Sequence, residues 1–230
     1  MNVSPPKTLR ALATDFDGTL AHNGTVSAAT LGAVCRLKDT GIRLILVTGR
    51  ELNDLSAIFP ELDCFDLAVM ENGAVLFNPV TGTIETLADP PPSAFVTRLT
   101  ELGLPLQIGK AIVATWEPHE KVVLQTIKDM GLELQVIFNK GAVMILPSGV
   151  NKATGMLAAL RQLDLEPSLV EGIGDAENDH AFLEVCGYSV AVANALPSIR
   201  EKVACVTKGD HGDGVVELIE RLLANTEVVT

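Results

Sequence analysis

Two aspartates one residue apart are the residues of this chain best suited to chemistry. Asp15 and Asp17 follow the apolar run at 9–13 and precede Gly18. Carboxylates this close repel each other, and a divalent cation would remove that repulsion. An aspartate held beside such a cation can also attack phosphorus. The spacing therefore indicates a metal, a nucleophile and phosphoryl transfer together.

The elements that must position this pair form a regular alternation. Apolar runs at 9–13, 42–47 and 67–70 predict buried strands, and Ser27 can cap a helix that runs to about Thr40. Strands alternating with helices predict an α/β fold with a parallel, doubly wound sheet. In such a sheet, ligands bind beyond the C-terminal ends of the strands.

Several other polar residues should reach the same edge of the sheet. Thr48 and Asp175 each follow a predicted strand, whereas Lys152, Asn178 and Asp179 lie where helices begin. Three or four carboxylates gathered there require a cation, and ligation by oxygen alone suits Mg²⁺. A lysine, a threonine hydroxyl and helix N-termini suit an anion such as phosphate. Arg50 could pair with a carboxylate at the border of this site.

The middle of the chain has a different pattern. Residues 79–147 combine helices with a strand near 106–115 and with two further strands, at 132–138 and 142–146, that a hairpin turn would join. A doubly wound sheet does not need such a hairpin. We therefore predict a core domain of residues 1–78 and 148–230, interrupted by an inserted α/β domain of residues 79–147.

Composition limits the possible classes of protein and partner. The chain has 230 residues, 47% of them hydrophobic, and a net charge of −12. That charge argues against nucleic acid or an anionic membrane as a partner. The N-terminal residues 1–7 lack the apolar region of a signal peptide, and no apolar run reaches the length of a membrane span. Four scattered cysteines suggest reduced core residues of a cytoplasmic protein.

Four motifs in order resemble those of the haloacid dehalogenase-like hydrolases. They are residues 15–20 (DFDGTL), 47–50 (VTGR), 149–153 (GVNKA) and 174–179 (GDAEND). The insert lies between the second and third motifs, as in the type IIB subgroup with an α/β cap. That subgroup includes phosphoglycolate, mannosyl-3-phosphoglycerate and sucrose-phosphate phosphatases and phosphomannomutase. The turn at 71–74 (ENGA) also resembles the one before this kind of cap. The resemblance implies a Rossmann-like core with an inserted cap.

The resemblance also implies a role for each motif residue. Asp15 would be the nucleophile, and Asp17 the acid and base that first protonates the leaving oxygen and then activates water. The residues implied to hold Mg²⁺ are Asp15, Asp17 (through its backbone carbonyl), Asp175 and Asp179 (directly or through water). Those implied to bind the phosphoryl group are Thr48, Gly49, Lys152 and Asn178.

These assignments predict a Mg²⁺-dependent phosphatase that hydrolyses a small organic phosphate monoester, a sugar phosphate or a compound like phosphoglycolate, through an aspartyl-phosphate. A phosphomutase or phosphotransferase would share the first half of this reaction, and a phospho-accepting regulatory module is a weaker alternative. The insert should select the substrate, and its candidate residues are Lys110, Trp116, Glu117, His119, Asn139 and Lys140. A monomer and a homodimer both remain open.

Overall fold

The computed structural model describes residues 9–139 and 141–226. The strands in chain order are β1 (Ala11–Asp15), β2 (Arg43–Val47), β3 (Leu67–Met70), β4 (Val75–Asn78), β5 (Thr83–Thr86), β6 (Gln107–Ile108), β7 (Val113–Trp116), β8 (Leu134–Asn139), β9 (Ala142–Pro147), β10 (Val170–Gly174), β11 (Tyr188–Ala191) and β12 (Cys205–Val206). The helices are α1 (Ala28–Asp39), α2 (Leu52–Ile58), α3 (Ser93–Glu101), α4 (Glu120–Asp129), α5 (Lys152–Leu163), α6 (His180–Val185), α7 (Pro197–Arg200) and α8 (His211–Thr226). Short 3₁₀ turns occupy 62–64, 71–73, 167–169 and 177–179.

The larger sheet has the order β12-β11-β10-β1-β2-β3-β4-β5. All pairs from β12 to β3 are parallel, and the last two pairs are antiparallel. The crossover through α1 leads from β1 to β2, toward one edge of the sheet. The crossover through α6 leads from β10 to β11, toward the opposite edge. Right-handed crossovers then place α1 and α6 on opposite faces of the sheet. The predicted doubly wound α/β fold is confirmed.

The order of the strands also locates the site. β1 lies between β2 and β10, so the chain leaves β1 on one side and returns on the other. This is the topological switch point at which open α/β sheets bind their ligands. Every residue of β1, including the last, is buried because helices cover both faces. Its carboxyl end therefore places a buried side chain at the binding edge.

The smaller sheet, of order β6-β7-β9-β8, has a core of its own. Helices α3 and α4 pack on it through a separate group of buried side chains, which are Phe95, Leu99, Leu104, Val113, Val123, Ile127 and Ile145. The predicted hairpin is present as β8 and β9, paired from Leu134↔Pro147 to Asn139↔Ala142. The single strand predicted near 106–115 is wrong, because a bend at 109–112 separates β6 from β7.

The hairpin of β4 and β5 was missed by the sequence analysis. Asn78 caps its turn by accepting the amides of Val80 and Thr81, and β5 extends the larger sheet. This strand falls inside the range 79–147, so the division of the chain into two domains stays a prediction.

Two expectations from composition can be compared with the structure. Cys186 is buried as expected, but Cys35 is exposed, so the expected core position is wrong for that residue. Among the described residues, no helix combines the length and apolar character needed to cross a membrane.

Candidate active site

Three buried carboxylates meet at the carboxyl edge of the larger sheet. Asp15 is the last residue of β1, Asp175 follows β10 directly, and Asp179 ends the 3₁₀ turn at 177–179. One oxygen from each lies within 4.8 Å of the others, and all three residues are buried. The predicted convergence of the first and fourth motifs is therefore present in the fold.

Lys152 brings the third motif to the same point. It is the first residue of α5, which begins where Asn151 caps the amides of Ala153 and Thr154. Its Nζ lies 2.5 Å from Asp15 Oδ1 and also donates to Asp179. The side chain is 2% exposed, so this ammonium is held inside the protein by carboxylates.

The charges at this point determine the pKa values of both partners. Burial raises the pKa of Asp15 well above its usual range, Asp179 and Asp175 raise it further, and Lys152 opposes them. Burial alone would lower the pKa of Lys152, but Asp15 and Asp179 raise it above its ordinary value. Three carboxylates face one ammonium, which leaves negative charge uncompensated. Buried oxygen donors with excess negative charge fit a hard divalent cation such as Mg²⁺.

Backbone groups and one hydroxyl fix the orientation of the cluster. Asp179 Oδ2 accepts the amides of Asp175 and Ala176, at 2.9 and 3.0 Å. Thr19 Oγ1 donates to Asp175 Oδ1 at 3.1 Å. A Cβ at Gly174 would lie 2.8 Å from Asp179, so only glycine allows this approach. Thr19 lies within the first motif, but its residue type and spacing had not indicated this role.

Asp17 has a different environment from Asp15. Arg50 binds its carboxylate with two hydrogen bonds, Nε to Oδ2 at 2.7 Å and Nη2 to Oδ1 at 2.8 Å. Arg50 Nη1 also donates to Asp54 at 2.5 Å. The hydrogen bond to Asp17 is the main cause that raises the pKa of Arg50. The carboxylate of Asp17 is not part of the three-acid cluster, so its predicted metal contact concerns its backbone carbonyl alone.

Three of the four predicted phosphate-binding residues, Thr48, Gly49 and Asn178, lie beside Asn72, whereas Lys152 lies with the acidic cluster. Thr48 is buried after β2, and its Oγ1 accepts the amide of Arg50 at 3.1 Å. Asn178 Nδ2 donates to Asn72 Oδ1 at 3.0 Å, while Asn178 Oδ1 is buried without a partner. A Cβ at Gly49 would lie 3.1 Å from Asn72. Asn72 has a positive φ of 53°. In the sequence, Asn72 was noted only as part of the turn at 71–74, which resembles the turn before an α/β cap.

A cavity of about 180 Å³ lies beside Asp15 and Asp17. Arg50, in the loop after β2, and Asp54, in α2, contribute to its wall, and β7 of the smaller sheet contributes residues 114–116. Two of the candidate substrate-reading residues, Trp116 and Asn139, line this cavity. Lys110, Glu117 and His119 are not among its lining residues, and Lys140 lies outside the described residues.

Comparison with known families supports the arrangement of motifs. Residues 12–101 and 106–219 match the haloacid dehalogenase-like hydrolases. The chain belongs to this family. A relative named phosphoglycolate phosphatase, from Methanothermobacter thermautotrophicus, is 29% identical over 94% of this chain and 99% of its own length. Phosphoglycolate phosphatase 2 of Saccharolobus solfataricus is 29% identical over 93% of this chain and 92% of its own.

Solved structures of haloacid dehalogenase-like hydrolases share the fold. One from Bacteroides thetaiotaomicron has a TM-score of 0.80 at 19% identity and covers 94% of this chain and 100% of its own. One from B. subtilis has a TM-score of 0.77 at 17% identity and covers 93% of this chain and 100% of its own. The predicted family and the predicted enzyme class, a phosphatase, are thereby confirmed.

Proposed function

We propose that this haloacid dehalogenase-like hydrolase is a Mg²⁺-dependent phosphatase that hydrolyses a small phosphate monoester through an aspartyl-phosphate on Asp15. The observation that carries the proposal is the convergence of Asp15, Asp175, Asp179 and Lys152 at one buried point beside the cavity. A nucleophile, a cation site and a fixed positive charge are the parts that phosphoryl transfer requires.

Asp15 is the proposed nucleophile because its carboxylate is both buried and adjacent to the cavity. Its oxygen forms a bond to phosphorus as the bond to the leaving oxygen breaks. The ammonium of Lys152 and the hydroxyl of Thr48 stabilise the negative charge on the phosphoryl oxygens. Both side chains are buried, so water does not weaken this stabilisation.

Asp17 is the proposed acid and base because its carboxylate lines the cavity without joining the acidic cluster. It gives a proton to the leaving oxygen in the first step. It then takes a proton from the water that attacks phosphorus, which frees phosphate and restores Asp15. The two hydrogen bonds from Arg50 fix the orientation of this carboxylate beside the cavity.

Mg²⁺ would be held by the carboxylates of Asp15, Asp175 and Asp179 and the backbone carbonyl of Asp17, and would supply positive charge to the phosphoryl oxygens. We also propose that the smaller sheet with α3 and α4 is the cap that closes the cavity, since Trp116 and Asn139 reach its wall. A cytoplasmic location and a monomeric or homodimeric state stay predictions from the sequence.

The cavity volume and the relatives together suggest which substrates to test first. About 180 Å³ accommodates a small leaving group rather than a large one. Several relatives that span nearly the whole chain are named phosphoglycolate phosphatases. Phosphoglycolate is therefore the first candidate, and small sugar phosphates are the second.

The proposal can be tested by measuring phosphate release from phosphoglycolate, a set of sugar phosphates and an aryl phosphate, with Mg²⁺ or with a chelator. We expect hydrolysis that requires Mg²⁺ and a loss of at least ~1000-fold in Asp15→Asn. Glu177→Gln is a matched control, because Glu177 is exposed on the same turn as Asp179. It should retain wild-type activity.

Two results would overturn the proposal. Undiminished turnover by Asp15→Asn would exclude Asp15 as the nucleophile. Conversion of a sugar phosphate to its isomer without release of phosphate would instead show a phosphomutase.

A further inference from the structure

The carbonyl oxygen of Gly18 accepts hydrogen bonds from two side chains that lie outside the first motif. Within the motif, the amides of Leu20 and Ala21 bond to the carbonyls of Asp15 and Phe16, at 3.3 and 2.8 Å. The Gly18 oxygen accepts two further hydrogen bonds, from Asn194 Nδ2 and from His211 Nδ1, both at 2.8 Å. Two donors therefore converge on the peptide group between Gly18 and Thr19, one residue after Asp17.

The two donors are also joined to each other. The backbone amide of His211 donates to Asn194 Oδ1 at 2.6 Å. His211 has a positive φ of 48°, a conformation that costs free energy for a residue other than glycine. A carbonyl oxygen can only accept, so Nδ1 of His211 must carry the proton. We name Asn194 and His211 together the Gly18 clamp.

The Gly18 clamp also reaches the acidic cluster. Two residues after Asn194, the amide of Leu196 donates to the carbonyl of Asp175 at 2.9 Å. Thr19, next to Gly18, donates to the carboxylate of Asp175. The segment at 194–196 therefore touches both the nucleophile loop and the Asp175 loop. Its position sets the distance between them.

The start of α8 is packed tightly against the same loop. A Cβ at Gly212 would lie 2.3 Å from Thr30 Oγ1 and 3.1 Å from the carbonyl of Leu20. The ring of His211 stacks on that of His22, with centroids 4.3 Å apart and planes 7° apart. His22 is exposed, and its ring covers one face of the half-buried His211 ring.

We propose that Asn194 and His211 are positioning residues that hold the Gly18 peptide, and through it the loop bearing Asp15 and Asp17, in the geometry that the reaction needs. The proposal rests on the proposed phosphatase function. Neither residue lines the cavity, and Asn194 Nδ2 and His211 Nδ1 both donate to the Gly18 oxygen, so their proposed role is to hold the loop rather than to contact substrate. Their loss should reduce kcat and leave KM nearly unchanged.

The variants are chosen to separate the hydrogen bond from the fold. His211→Ala removes the donor, whereas His211→Asn places an amide nitrogen at the position of Nδ1, and asparagine tolerates positive φ. Asn194→Asp keeps the acceptor for the His211 amide but loses the donor to Gly18. His22→Ala removes the ring stack alone.

Two measurements are made on the full chain with Mg²⁺. The first is kcat and KM on the ester that the wild type hydrolyses fastest. The second is amide hydrogen exchange of the peptide covering 15–22, followed by mass spectrometry, which does not depend on turnover. We expect His211→Ala and Asn194→Asp to lower kcat about 10-fold and to speed exchange of this peptide, because each variant removes one hydrogen bond to the Gly18 oxygen. His211→Asn should restore both quantities to within about 3-fold, and His22→Ala should change neither.

Each other outcome overturns the inference. Faster exchange with unchanged kcat would show that the Gly18 clamp holds the loop without serving the reaction. A change in KM alone would indicate a substrate contact, and a failure of His211→Asn to restore kcat would exclude the hydrogen bond as the cause. If the wild type hydrolyses no ester, the proposed function fails, but the exchange measurement still tests the clamp. If the peptide 15–22 then exchanges as slowly in His211→Ala as in the wild type, the Gly18 clamp does not hold the loop.

Discussion

Lys152 Nζ lies 2.5 Å from Asp15 Oδ1, although 137 positions separate the two residues in the chain. The contact joins the end of β1 to the start of α5, and it is sealed from water. An ammonium at a helix N-terminus is unfavourable unless negative charge lies near it, and here Asp15 and Asp179 supply that charge. The stability of this part of the fold and the chemistry of the site therefore depend on the same three side chains.

We predict that Lys152→Met both destabilises the metal-free protein and inactivates the enzyme. Removing the ammonium leaves buried carboxylates uncompensated, which costs about 3 kcal/mol in the free energy of unfolding. Loss of a charge that stabilises the phosphoryl oxygens should lower kcat/KM at least ~100-fold. Urea unfolding and phosphate release measure the two effects.

Mg²⁺ separates the two roles of Lys152. Added Mg²⁺ should recover most of the lost stability, because it supplies positive charge to the same carboxylates, but it should not recover the activity. Lys128→Met is the control, since Lys128 is exposed on α4. A Lys152→Met protein as stable as wild type without Mg²⁺ would contradict the electrostatic account.

A second prediction concerns Mg²⁺ and pH. Burial and the neighbouring acids raise the pKa of Asp15 in the folded protein above its usual value of 3.8. The folded state therefore favours the protonated form. The stability that this contributes is fully present below the unfolded pKa and is lost as pH rises through the folded pKa. Mg²⁺ acts in the opposite direction, because it binds the ionised carboxylates.

The expected outcome is a Tm shift by Mg²⁺ that grows with pH. At about 100 times its Kd, Mg²⁺ adds about 2.7 kcal/mol, which raises Tm by roughly 5–10 °C in a chain of this size. The shift should shrink as the buffer is taken from pH 8 to pH 5. Thermal scans with Mg²⁺ and with a chelator test this, and Asp15→Asn should reduce the shift at every pH. A shift independent of pH would mean that protons and Mg²⁺ do not compete for this site.

A third prediction uses a buried ion pair away from the site. Glu171 on β10 is 1% exposed, and Arg221 on α8 donates to it at 2.9 Å. Burial raises the pKa of Glu171, and Arg221 opposes that shift. Arg221→Met removes the opposing charge, so the folded pKa rises further. A third of the Arg221 side chain is exposed, which limits the expected loss of stability to about 2 kcal/mol at pH 8.

This loss should be smaller at pH 5, because protonation of Glu171 removes the unpaired charge. The double variant Glu171→Gln/Arg221→Met should recover part of the stability at pH 8. Urea unfolding of the two single variants and the double variant at both pH values gives the coupling between the side chains. Equal losses at pH 5 and pH 8 for Arg221→Met would show that its effect is packing alone.

The sequence predicted most of the core site because its parts follow local rules. Asp15, Thr48 and Asp175 each stand at a strand end, and the ends of parallel strands share one edge. A helix was expected to begin at Lys152, and α5 begins at that residue, where Asn151 caps it. These signals depend on neighbours in the chain, so they can be read without a structure.

Contacts between distant segments could not be predicted in the same way. The bend at 109–112 depends on Glu71, which is about 40 residues earlier, and the apolar residues on both sides of it read as one strand. The sequence left open whether Arg50 pairs with a carboxylate at the border of the site and did not identify Asp17 as that partner, since spacing does not fix the direction of a long side chain. The hydrogen bonds of His211 to Gly18 had no local signal at all.

Glu71 is the subject of the last prediction. Its buried carboxylate accepts the backbone amides of Lys110, Ala111 and Ile112, at 3.0, 2.8 and 3.0 Å. It thereby ties the turn after β3 to the bend that leads into β7. Ile112 and residues 114–116 line the cavity, so this tie sets part of the substrate wall.

Glu71→Gln should weaken both the fold and substrate binding. Glutamine keeps one acceptor and turns an NH₂ group toward amides that also donate, so buried N–H groups lose their partners. We expect a loss of about 3 kcal/mol in the free energy of unfolding. KM should rise about 5-fold with a smaller change in kcat, because the altered wall contacts the leaving group rather than the phosphoryl group. Glu85→Gln, at an exposed position of β5, is the matched control. A fall in kcat at constant KM would instead place the effect of Glu71 on the catalytic carboxylates, through its neighbour Asn72.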